Sequence, residues 1–567
     1  MRGQRPRQRM STVRYIVAQA ARLGQKLLTA DTVGACLLAG KPESTVPIHF
    51  TGPNGQKEFD YDANGELEEV IYELESNMYS HPGAGYAWFQ HVDKMLKEMG
   101  FENNPVEPCA YRRGSIELAL FVDDFIVTGN DKELATFQKQ INDKFGDSGF
   151  KQAEMFLGMN ISRVGENAYH LCMASYTESV YEKFKANYTV RGKDIPLATG
   201  CGTSKADCPP PGTKIDEPCR ELVGSLQCCQ MTAWQACYAQ SQISRVQATP
   251  GIEHWNRALD VLGFLYKCRE MGITHRSGDV ERQIDLRKKK NGKGVREAVS
   301  ATTTVFKDDQ LYACSDSSHA DIDTEGLCDC EECVAKHGIA YEQNDSHETS
   351  LSHVTCYANA PIHWRSTVSQ GRQRHSTESE MLAAANCSKE CQCLMQFFEG
   401  WGKDQTPVPL HSDNQAALKI CTNRHGLTRK AGHIKKKRLI AKDLRLEGMI
   451  KLEKVYTLCN PSDIGTKAIC KELFHGHMNQ FMESHEPVVT PKKKDQMHVK
   501  KEQHETLMYI TNTTELVSTK SDGEPIQKWK TIERKVIEAG KAESNGTNSK
   551  VANIMARLRD MKRVKPS

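Results

Sequence analysis

The stretch Ala119-Leu-Phe-Val-Asp-Asp-Phe-Ile-Val-Thr-Gly129 places two adjacent carboxylates between two runs of strand-forming residues. Aromatic and β-branched residues on both sides, followed by the turn residues Gly129 and Asn130, predict a β-hairpin with Asp123 and Asp124 at its tip. Two neighbouring acids are costly to bury unless a cation neutralises them. The pair therefore fits half of a divalent-metal site, but an acidic surface turn explains these residues equally well when they are taken alone.

Four further acids stand where a predicted strand ends or a predicted helix begins. Acids in such positions can converge on one metal cluster although they are far apart in the sequence. They are Asp316 after the strand that starts at Leu311, Glu380 in the long helix opened by Ser376, Asp413 after the strand that starts at Val408, and Asp463 after the strand predicted over 450–458. Alternatively, Asp463 is an N-cap for the helix after Ser462.

Composition bounds the possible classes of protein. A chain of 567 residues is long enough for three or four domains with real cores. Its net charge of +3 gives no global argument for a nucleic-acid partner, but the basic residues cluster. Such clusters are either solvated surface or a contact with a phosphate backbone. They lie at residues 2–14, 287–293, 435–438 and 492–494.

No apolar run approaches the length of a membrane span, and no secretory signal follows the arginine-rich N-terminus. The 21 cysteines are scattered through apolar patterns, which favours free thiols in a reducing compartment. We therefore expect a cytoplasmic or nuclear protein that is not secreted and has no membrane partner. The oligomeric state stays open.

Helical periodicity is clear in three regions. Tyr86 to Met99 and the residues after Asn130 each carry apolar side chains on one face, and 220–271 reads as a series of helices. Residues 287–298 are predicted to form a lysine-rich loop.

Three segments carry a resemblance to a known family. Phe121-Val-Asp-Asp124 resembles the (Tyr/Phe)-x-Asp-Asp box of reverse transcriptases. Thr29-Ala-Asp-Thr-Val-Gly-Ala-Cys-Leu-Leu-Ala-Gly40 resembles the other palm strand of that family, which makes Asp31 its aspartate. Phe156-Leu-Gly-Met-Asn-Ile161 is similar to a segment typical of copia-type LTR retrotransposon polymerases. The order and spacing agree, and the similarity continues to about residue 470.

The succession of the later acids resembles ribonuclease H of the copia type, and the resemblance implies four metal ligands. They are Asp316, Glu380, Asp413 and Asp463. Glu380 is preferred to Glu378 because Glu-Met-Leu-Ala aligns with a turn of the family, while an acid at 378 is favoured by a helix N-terminus. His433 falls where the family also has a histidine, either to assist proton transfer or product release or as an ordinary surface residue.

The resemblance implies an α/β (α+β) fold and a division of the chain. We expect a basic arm at 1–13, a reverse transcriptase palm-like sheet with helices at 14–194, a linker and helical connection at 195–300, a ribonuclease H-like mixed sheet with helices at 301–480, and a lysine-rich, partly disordered tail at 481–567.

The implied function is that of a retrotransposon Pol fragment with two activities. An RNA-directed DNA polymerase would use an RNA template and deoxynucleotides, with metal at Asp31 and Asp123 and with Asp124 as a weaker partner. A ribonuclease H would cleave the RNA of RNA–DNA hybrids at the four later acids. Both are phosphoryl transfers that two Mg²⁺ ions in a carboxylate site can assist.

Departures from the family fall mainly in the polymerase half. Only about thirty residues precede the Asp31 strand, too few for fingers, so an N-terminally truncated polymerase is expected. Pro82 and Gly83 replace a lysine and a glutamine, and Cys36 replaces an aromatic residue. The polymerase is therefore expected to be impaired.

The nuclease half keeps all its acids, although Lys435 and Leu439 stand where the family has an acid and a second histidine. We therefore expect nuclease activity more than polymerase activity. The alternative is a catalytically decayed or co-opted remnant that binds nucleic acid.

A cysteine cluster has no counterpart in the family. Cys328-Asp-Cys-Glu-Glu-Cys333, which includes Cys330, has His337, His347 and Cys356 nearby. Its spacing allows a zinc site but lacks paired Cys-x2-Cys repeats, and cysteines in an acidic surface loop are the alternative.

Overall fold

The computed structural model describes residues 9–32, 35, 39, 49–50, 59–61, 67–69, 72–73, 77, 83–145, 149–198, 208–209, 215–290, 296–318, 349–369, 375–423 and 439–485. Its α-helices are α1 Met10–Arg22, α2 Ala84–Glu98, α3 Asp131–Phe145, α4 Ala174–Lys185, α5 Cys219–Cys229, α6 Cys237–Arg245, α7 Ile252–Lys267, α8 Ser376–Glu399, α9 Gln415–Thr422, α10 Ile440–Leu446 and α11 Lys471–Met478. Short 3-10 helices span Trp234–Ala236, Thr457–Cys459 and Pro461–Gly465.

The strands are β1 Lys26–Asp31, β2 His49–Phe50, β3 Phe59–Tyr61, β4 Leu67–Glu69, β5 Tyr72–Glu73, β6 Glu102–Asn103, β7 Ala110–Arg113, β8 Ile116–Phe121, β9 Asp124–Gly129, β10 Lys151–Gln152, β11 Met155–Phe156, β12 Met159–Gly165, β13 Ala168–Cys172, β14 Met271–Arg276, β15 Val280–Lys290, β16 Arg296–Phe306, β17 Tyr312–Ser318, β18 Ser350–Tyr357, β19 Ala360–Val368, β20 Val408–Ser412, β21 Ile450–Lys454 and β22 Met482–Ser484.

The first of two compact units holds the described residues between 33 and 99. Strand β2 pairs with β5, and β3 pairs with β4. Helix α2 confirms the helix predicted from Tyr86 to Met99, with Trp88, Val92, Met95 and Leu96 buried along one face.

The second unit, with the described residues of 7–32 and 100–488, contains the predicted acidic hairpin. Its first sheet has the order β10-β1-β9-β8-β7-β6, and all its pairings are antiparallel. Helix α3 follows this sheet and buries Leu134, Phe137 and Ile141, as its periodicity predicts. Two adjacent strands and a covering helix therefore hold the hairpin in place.

A second sheet, ordered β11-β12-β13-β14-β22, and helix α1 link the first sheet to the rest of the unit. Helix α1 packs against β8, β9, β13, β14 and β19. Its residues from Ser11 to Ala21 are all buried, as expected of a helix enclosed on every side.

The sequence interpretation placed residues 2–14 on a solvated surface or against a phosphate backbone, and for Arg14 this interpretation is wrong. Arg14 belongs to α1, and its side chain is buried in the protein interior. There Nη1 donates to the Ile362 carbonyl at 2.9 Å and Nη2 donates to the Met231 carbonyl at 2.7 Å. The guanidinium also lies 3.8 Å from the centre of the Trp364 ring. Burial lowers its pKa to about 9. A charged group without water needs such acceptors, so Arg14 is a structural residue.

The third sheet is mixed and has the order β19-β18-β17-β20-β21. Strands β17, β18 and β19 are antiparallel neighbours, whereas β20 runs parallel to both β17 and β21. Helix α8 packs across β17, β18 and β20. The strand predicted over 450–458 is shorter than expected, because β21 ends at Lys454 and a 3-10 helix begins at Thr457.

One hydrophobic core joins the acidic-hairpin sheet to the mixed sheet. It runs from Leu27 and Ile126 through Tyr15 and Ile16 of α1 to Ala313 and the aromatic end of α8. Tyr15 packs against Phe397, Phe398 and Trp401, with ring centres 4.9–5.5 Å apart. A second core lies under helices α5, α6 and α7, which confirm the helical region predicted over 220–271.

Residues 287–298 were expected to form a loop, and this prediction is wrong for its described part. Strands β15 and β16 pair antiparallel from Val280 opposite Phe306 to Lys290 opposite Arg296, in a two-stranded sheet of their own. The lysine run masked the strand pattern, since lysine is depleted in strands. Within the described residues, no helix has both the length and the apolar character needed to cross a bilayer.

Candidate metal centre

Three of the predicted acids meet at one end of the mixed sheet. Strands β17 and β20 are parallel and in register at Ser315 and Ser412, so Asp316 and Asp413 follow at the same level. Glu380 comes from the first turns of α8, which packs against both strands. Oxygen atoms of Asp316, Glu380 and Asp413 all lie within 4.8 Å of one another.

The fourth predicted acid, Asp463, is buried in the 3-10 helix Pro461–Gly465 beside this cluster. The alternative interpretation of Asp463 as an N-cap is wrong. Asn460 caps this helix, because its side-chain oxygen accepts from the Ser462 N–H at 3.2 Å. Asn460 also donates to the Ser315 carbonyl at 3.1 Å, which fixes the turn to β17.

The electrostatics of the cluster are those of crowded carboxylates. Burial, followed by the charges of Asp463 and Glu380, raises the pKa of Asp316 well above its usual value. Burial and the charge of Asp413 raise the pKa of Glu380 to about 8. Like charges in a site of low polarity disfavour ionisation, and a bound cation reverses this effect.

The sequence interpretation did not single out three polar side chains that contact these acids. Thr466 donates to Asp316 Oδ2 at 2.6 Å, and Thr457 donates to Asp413 Oδ2 at 2.7 Å. Lys467 Nζ lies 3.1 Å from Asp463 Oδ1. Thr466 and Lys467 lie three and four residues after Asp463. This closeness to a candidate ligand was the only sign in the sequence that they contact the acids.

The pKa of Lys467 is raised. Burial is the largest single effect and opposes its charge, but the attraction of Asp463, Asp316 and Asp413 and the hydrogen bond to Asp463 together outweigh it. This ammonium therefore offsets part of the negative charge of the acids.

The donor set fits magnesium. The three clustered ligands are carboxylate oxygens, which hard divalent cations prefer. Glu380 Oε2 is buried and has no hydrogen-bond partner among the described residues. An unsatisfied buried carboxylate oxygen is costly, and a cation satisfies it.

Other predicted residues fall outside this cluster. Glu378 lies in the first turn of α8, where a helix N-terminus favours an acid. His433 and Lys435 are outside the described residues, as are Cys328, Cys330, Cys333, His337 and His347 of the possible zinc site. Cys356 is buried in β18, and burial raises the pKa of its thiol to about 12.

The acidic hairpin of the first sheet has the predicted form. Phe121 pairs with Asp124, which leaves Val122 and Asp123 as a two-residue turn. Asp31 at the end of β1 lies opposite Asp124, and the Thr32 N–H donates to the Asp123 carbonyl at 3.0 Å. The backbone therefore brings Asp31, Asp123 and Asp124 together.

Val122 has a φ of 59°, a left-handed conformation that is unusual for a β-branched residue. Such strain costs about 1–3 kcal/mol and is concentrated at functional sites. Cys36 and Pro82 are outside the described residues, and Gly83 immediately precedes α2.

Comparison with known proteins gives matches along most of the chain. Residues 3–198 match the family described as reverse transcriptase (RNA-dependent DNA polymerase). The chain is 24% identical over 495 residues to the retrovirus-related Pol polyprotein from transposon TNT 1-94 of Nicotiana tabacum, an alignment with 83% of this chain and 32% of that protein. It is 24% identical over 363 residues to the corresponding polyprotein from transposon RE2 of Arabidopsis thaliana, covering 63% of this chain and 21% of that protein.

A shorter relative is matched along almost its whole length. The chain is 28% identical over 356 residues to the putative transposon Ty5-1 protein of Saccharomyces cerevisiae, which covers 61% of this chain and 95% of that protein. By contrast, the chain spans about a third of the tobacco polyprotein and about a fifth of the Arabidopsis one.

Proposed function

Because this chain is a region of a copia-type retrotransposon Pol polyprotein and contains a reverse transcriptase domain, we propose that it joins an RNA-directed DNA polymerase to a magnesium-dependent ribonuclease H. The nuclease would cleave the RNA strand of RNA–DNA hybrids. The observation that carries the nuclease assignment is the cluster of Asp316, Glu380 and Asp413, whose oxygens lie within 4.8 Å of one another.

Two further observations support the nuclease assignment. The mixed sheet has three antiparallel strands followed by two parallel ones, and the acids stand at the junction between the two kinds of pairing. The similarity to the tobacco polyprotein extends over 495 residues and therefore far beyond the reverse transcriptase match, which ends at residue 198.

The chain's own residues prepare this site for a cation. Asp316, Glu380, Asp413 and Asp463 would hold the metal, which when bound activates a water and stabilises the leaving oxygen of the phosphodiester. Without metal, the raised pKa of Glu380, about 8, favours its protonated form at neutral pH.

Hydrogen bonds from outside the cluster fix the direction of its carboxylates. Thr466 orients Asp316 and Thr457 orients Asp413. Side chains that hydrogen-bond to a metal-binding carboxylate in this way tune its affinity for the metal. Selection of a hybrid rests on the 2′-hydroxyls and the shape of the duplex, so no base-specific contact is needed.

The polymerase assignment rests on the hairpin and its neighbour strand. Asp31 and Asp123 are proposed to hold magnesium, with Asp124 as a weaker partner. The pairing of Asp31 with Asp124 in adjacent strands supports this set, as does the strained turn at Val122. These acids would bring a primer hydroxyl and the α-phosphate of a deoxynucleotide together.

We further propose that polymerisation is impaired. Gly83 stands where the family has a glutamine that contacts the nucleotide or the template, and Cys36 stands where it has an aromatic residue that excludes the ribose 2′-hydroxyl. Neither side chain can supply a hydrogen bond to a base or a ring face against a ribose. A decayed or co-opted remnant that only binds nucleic acid is the second candidate, and these two substitutions are the observation that favours it.

The nuclease is tested with a hybrid whose RNA strand carries the label. The full chain is compared with Asp413→Asn and with Asp143→Asn, a control at an exposed acid of α3. We expect magnesium-dependent cleavage by the full chain and by the control, and background cleavage by Asp413→Asn. If the full chain cleaves no more RNA than Asp413→Asn does, the nuclease assignment is wrong.

The polymerase is tested separately by primer extension on an RNA template. We expect weak or no extension by the full chain. Sustained extension that Asp123→Asn abolishes would contradict the impairment and leave the polymerase assignment standing. Cleavage by the nuclease in the same preparation shows that the protein is folded.

A further inference from the structure

Residues 460–466 carry two groups of the metal centre within a short stretch of chain. Asp463 is one of the four candidate ligands, and the Thr466 hydroxyl donates to Asp316 Oδ2 at 2.6 Å. Gly465 stands between these two residues, at the end of their 3-10 helix, and it is buried. Whatever fixes the backbone at Gly465 therefore fixes both groups.

Hydroxyl groups pin this segment to the mixed sheet on both sides of Asp463. Ahead of it, Ser462 Oγ donates to the carbonyl of Cys314 in β17 at 2.8 Å. After it, the Gly465 carbonyl accepts from Ser366 Oγ of β19 at 2.7 Å. The segment thus crosses from β17 to β19 and packs on β18, the strand that lies between them.

Gly465 packs on the row of the sheet that carries Asp316. In the register Asp316 of β17 is opposite Ser352 of β18, and Ser352 is opposite Ser366 of β19. A Cβ added to Gly465 would lie 2.7 Å from the Cβ of Ser352 and closer still to its Oγ. Carbon atoms that are not bonded to each other prefer a separation of about 3.5–4.0 Å, so no side chain fits here.

The helical region also closes on this glycine. The same added Cβ would lie 3.3 Å from Cys237 Sγ at the start of α6. Helix α6 and the 3-10 helix Trp234–Ala236 before it both pack against the 3-10 helix Pro461–Gly465. The segment is therefore held between the helical region and the mixed sheet, and it has little room to move away from Ser352.

Close packing alone also explains a buried glycine, and that explanation predicts only a loss of stability when a side chain is added. The surroundings of Gly465 predict more. The strand that it contacts is the neighbour of Asp316, and the backbone that a side chain would displace carries Asp463 and Thr466.

We propose that Gly465 is a positioning residue of the metal centre. Its lack of a side chain lets residues 460–466 approach β18, and this approach sets the Asp463 carboxylate and the Thr466 hydroxyl relative to Asp316. The use of the bound metal in cleaving an RNA–DNA hybrid rests on the proposed function. The effect of Gly465 on magnesium binding is measured without any nucleic acid.

Magnesium binding to the full chain is measured by titration calorimetry and by the magnesium-dependent rise in melting temperature. Every protein carries Asp123→Asn, so that the acidic hairpin contributes less to the signal. Adding Asp413→Asn to this background gives the signal that remains without the acid cluster.

We expect Gly465→Ala to weaken magnesium binding about 10- to 100-fold, which is the usual loss when a group that orients a metal ligand is removed. Gly476→Ala in α11 is the matched control, because a Cβ added there has no atom within 4 Å. The control should bind magnesium as the background protein does. Equal affinities for Gly465→Ala and Gly476→Ala would overturn the proposal.

Ser352→Gly provides a rescue, because it removes the atoms that the added Cβ would meet. The double variant Gly465→Ala, Ser352→Gly should bind magnesium as tightly as Ser352→Gly alone. A packing role without an effect on the acids predicts no such recovery of affinity.

Denaturant midpoints show whether each variant is folded. If Gly465→Ala does not fold, the double variant decides the question. A folded double variant with restored magnesium binding supports the proposal, and a folded one with weak binding overturns it. A double variant that does not fold also overturns it, because the contact with Ser352 is then not what the glycine avoids.

Cleavage of a labelled hybrid by the unmutated chain is scored separately. Magnesium binding that depends on Gly465 in a chain without cleavage contradicts the proposed function alone. Cleavage by a chain whose magnesium binding does not respond to Gly465→Ala contradicts the positioning role alone.

Discussion

The hydroxyl of Thr466 donates a hydrogen bond of 2.6 Å to Asp316 Oδ2, although 150 residues separate the two in the chain. Both residues are buried. The bond engages one oxygen of the Asp316 carboxylate and restrains the orientation of the group.

We expect Thr466→Val to weaken magnesium binding about 10- to 100-fold, because it removes the hydrogen bond to the Asp316 carboxylate and keeps the shape of the side chain. The measurement is the magnesium concentration that gives half-maximal cleavage of a hybrid, together with the magnesium-dependent shift in melting temperature. Thr422→Val, at an exposed position near the end of α9, is the matched control. A magnesium requirement unchanged from that of the control would show that the bond does not tune the site.

The raised pKa values of Asp316 and Glu380 predict a pH-dependent stability in the absence of metal. Between pH 4.5 and about 8 an unfolded chain releases the Glu380 proton while the folded chain retains it. The free energy of unfolding therefore falls as pH rises through this window.

Glu380→Gln should make that decline shallower and should increase stability at pH 8 in EDTA while it abolishes cleavage. Asp316 still titrates, so some decline remains. Urea unfolding at pH 5 and pH 8 tests this expectation, with Glu178→Gln on the exposed side of α4 as control. The same pH dependence in all three proteins would refute it.

Arg14→Met should lower the free energy of unfolding by about 3 kcal/mol or more. The substitution keeps much of the apolar stem but leaves the carbonyls of Met231 and Ile362 without their donor. Arg257→Met, at a partly exposed position on α7, should change stability by less than about 0.5 kcal/mol. Denaturant midpoints for the two variants within experimental error of each other would contradict a structural role for Arg14.

Val122→Gly should raise the free energy of unfolding by about 1 kcal/mol, since glycine adopts the left-handed conformation without the clash that valine suffers. Val106→Gly, at an exposed valine without a positive φ, should have the opposite sign. Melting temperatures of the two variants provide the comparison, and destabilisation by both would exclude strain at Val122.

The sequence predicted the parts of this fold that depend on local chemistry. Strand residues around Asp123 and the turn after Gly129 are enough to define the hairpin, and the spacing of Trp88, Val92 and Leu96 is enough to define α2. The convergence of Asp316, Glu380 and Asp413 was also predicted, because acids at the ends of strands and the starts of helices occupy the same edge of a sheet.

Long-range relationships were not predictable in the same way. Nothing local distinguishes a buried Arg14 from the exposed arginines of a basic arm, because its acceptors are hundreds of residues away. The lysine run from Arg287 to Lys290 has weak strand propensity, and its strand state depends on the pairing with β16. The orienting roles of Thr457 and Thr466 depend on hydrogen bonds that only the folded chain creates.

The burial of α1 has a consequence for synthesis of the protein. Arg14 is 348 residues ahead of Ile362, the residue whose carbonyl it binds. A ribosome adds about 5–20 residues per second, so this acceptor emerges roughly 20 to 70 s after the arginine does. Strands β8, β9 and β13 can cover part of α1 earlier, but the contacts of the helix with β14 and β19 must wait until those later strands have been translated. The sheet that contains the acidic hairpin and the mixed sheet therefore complete their folding together, because both depend on α1.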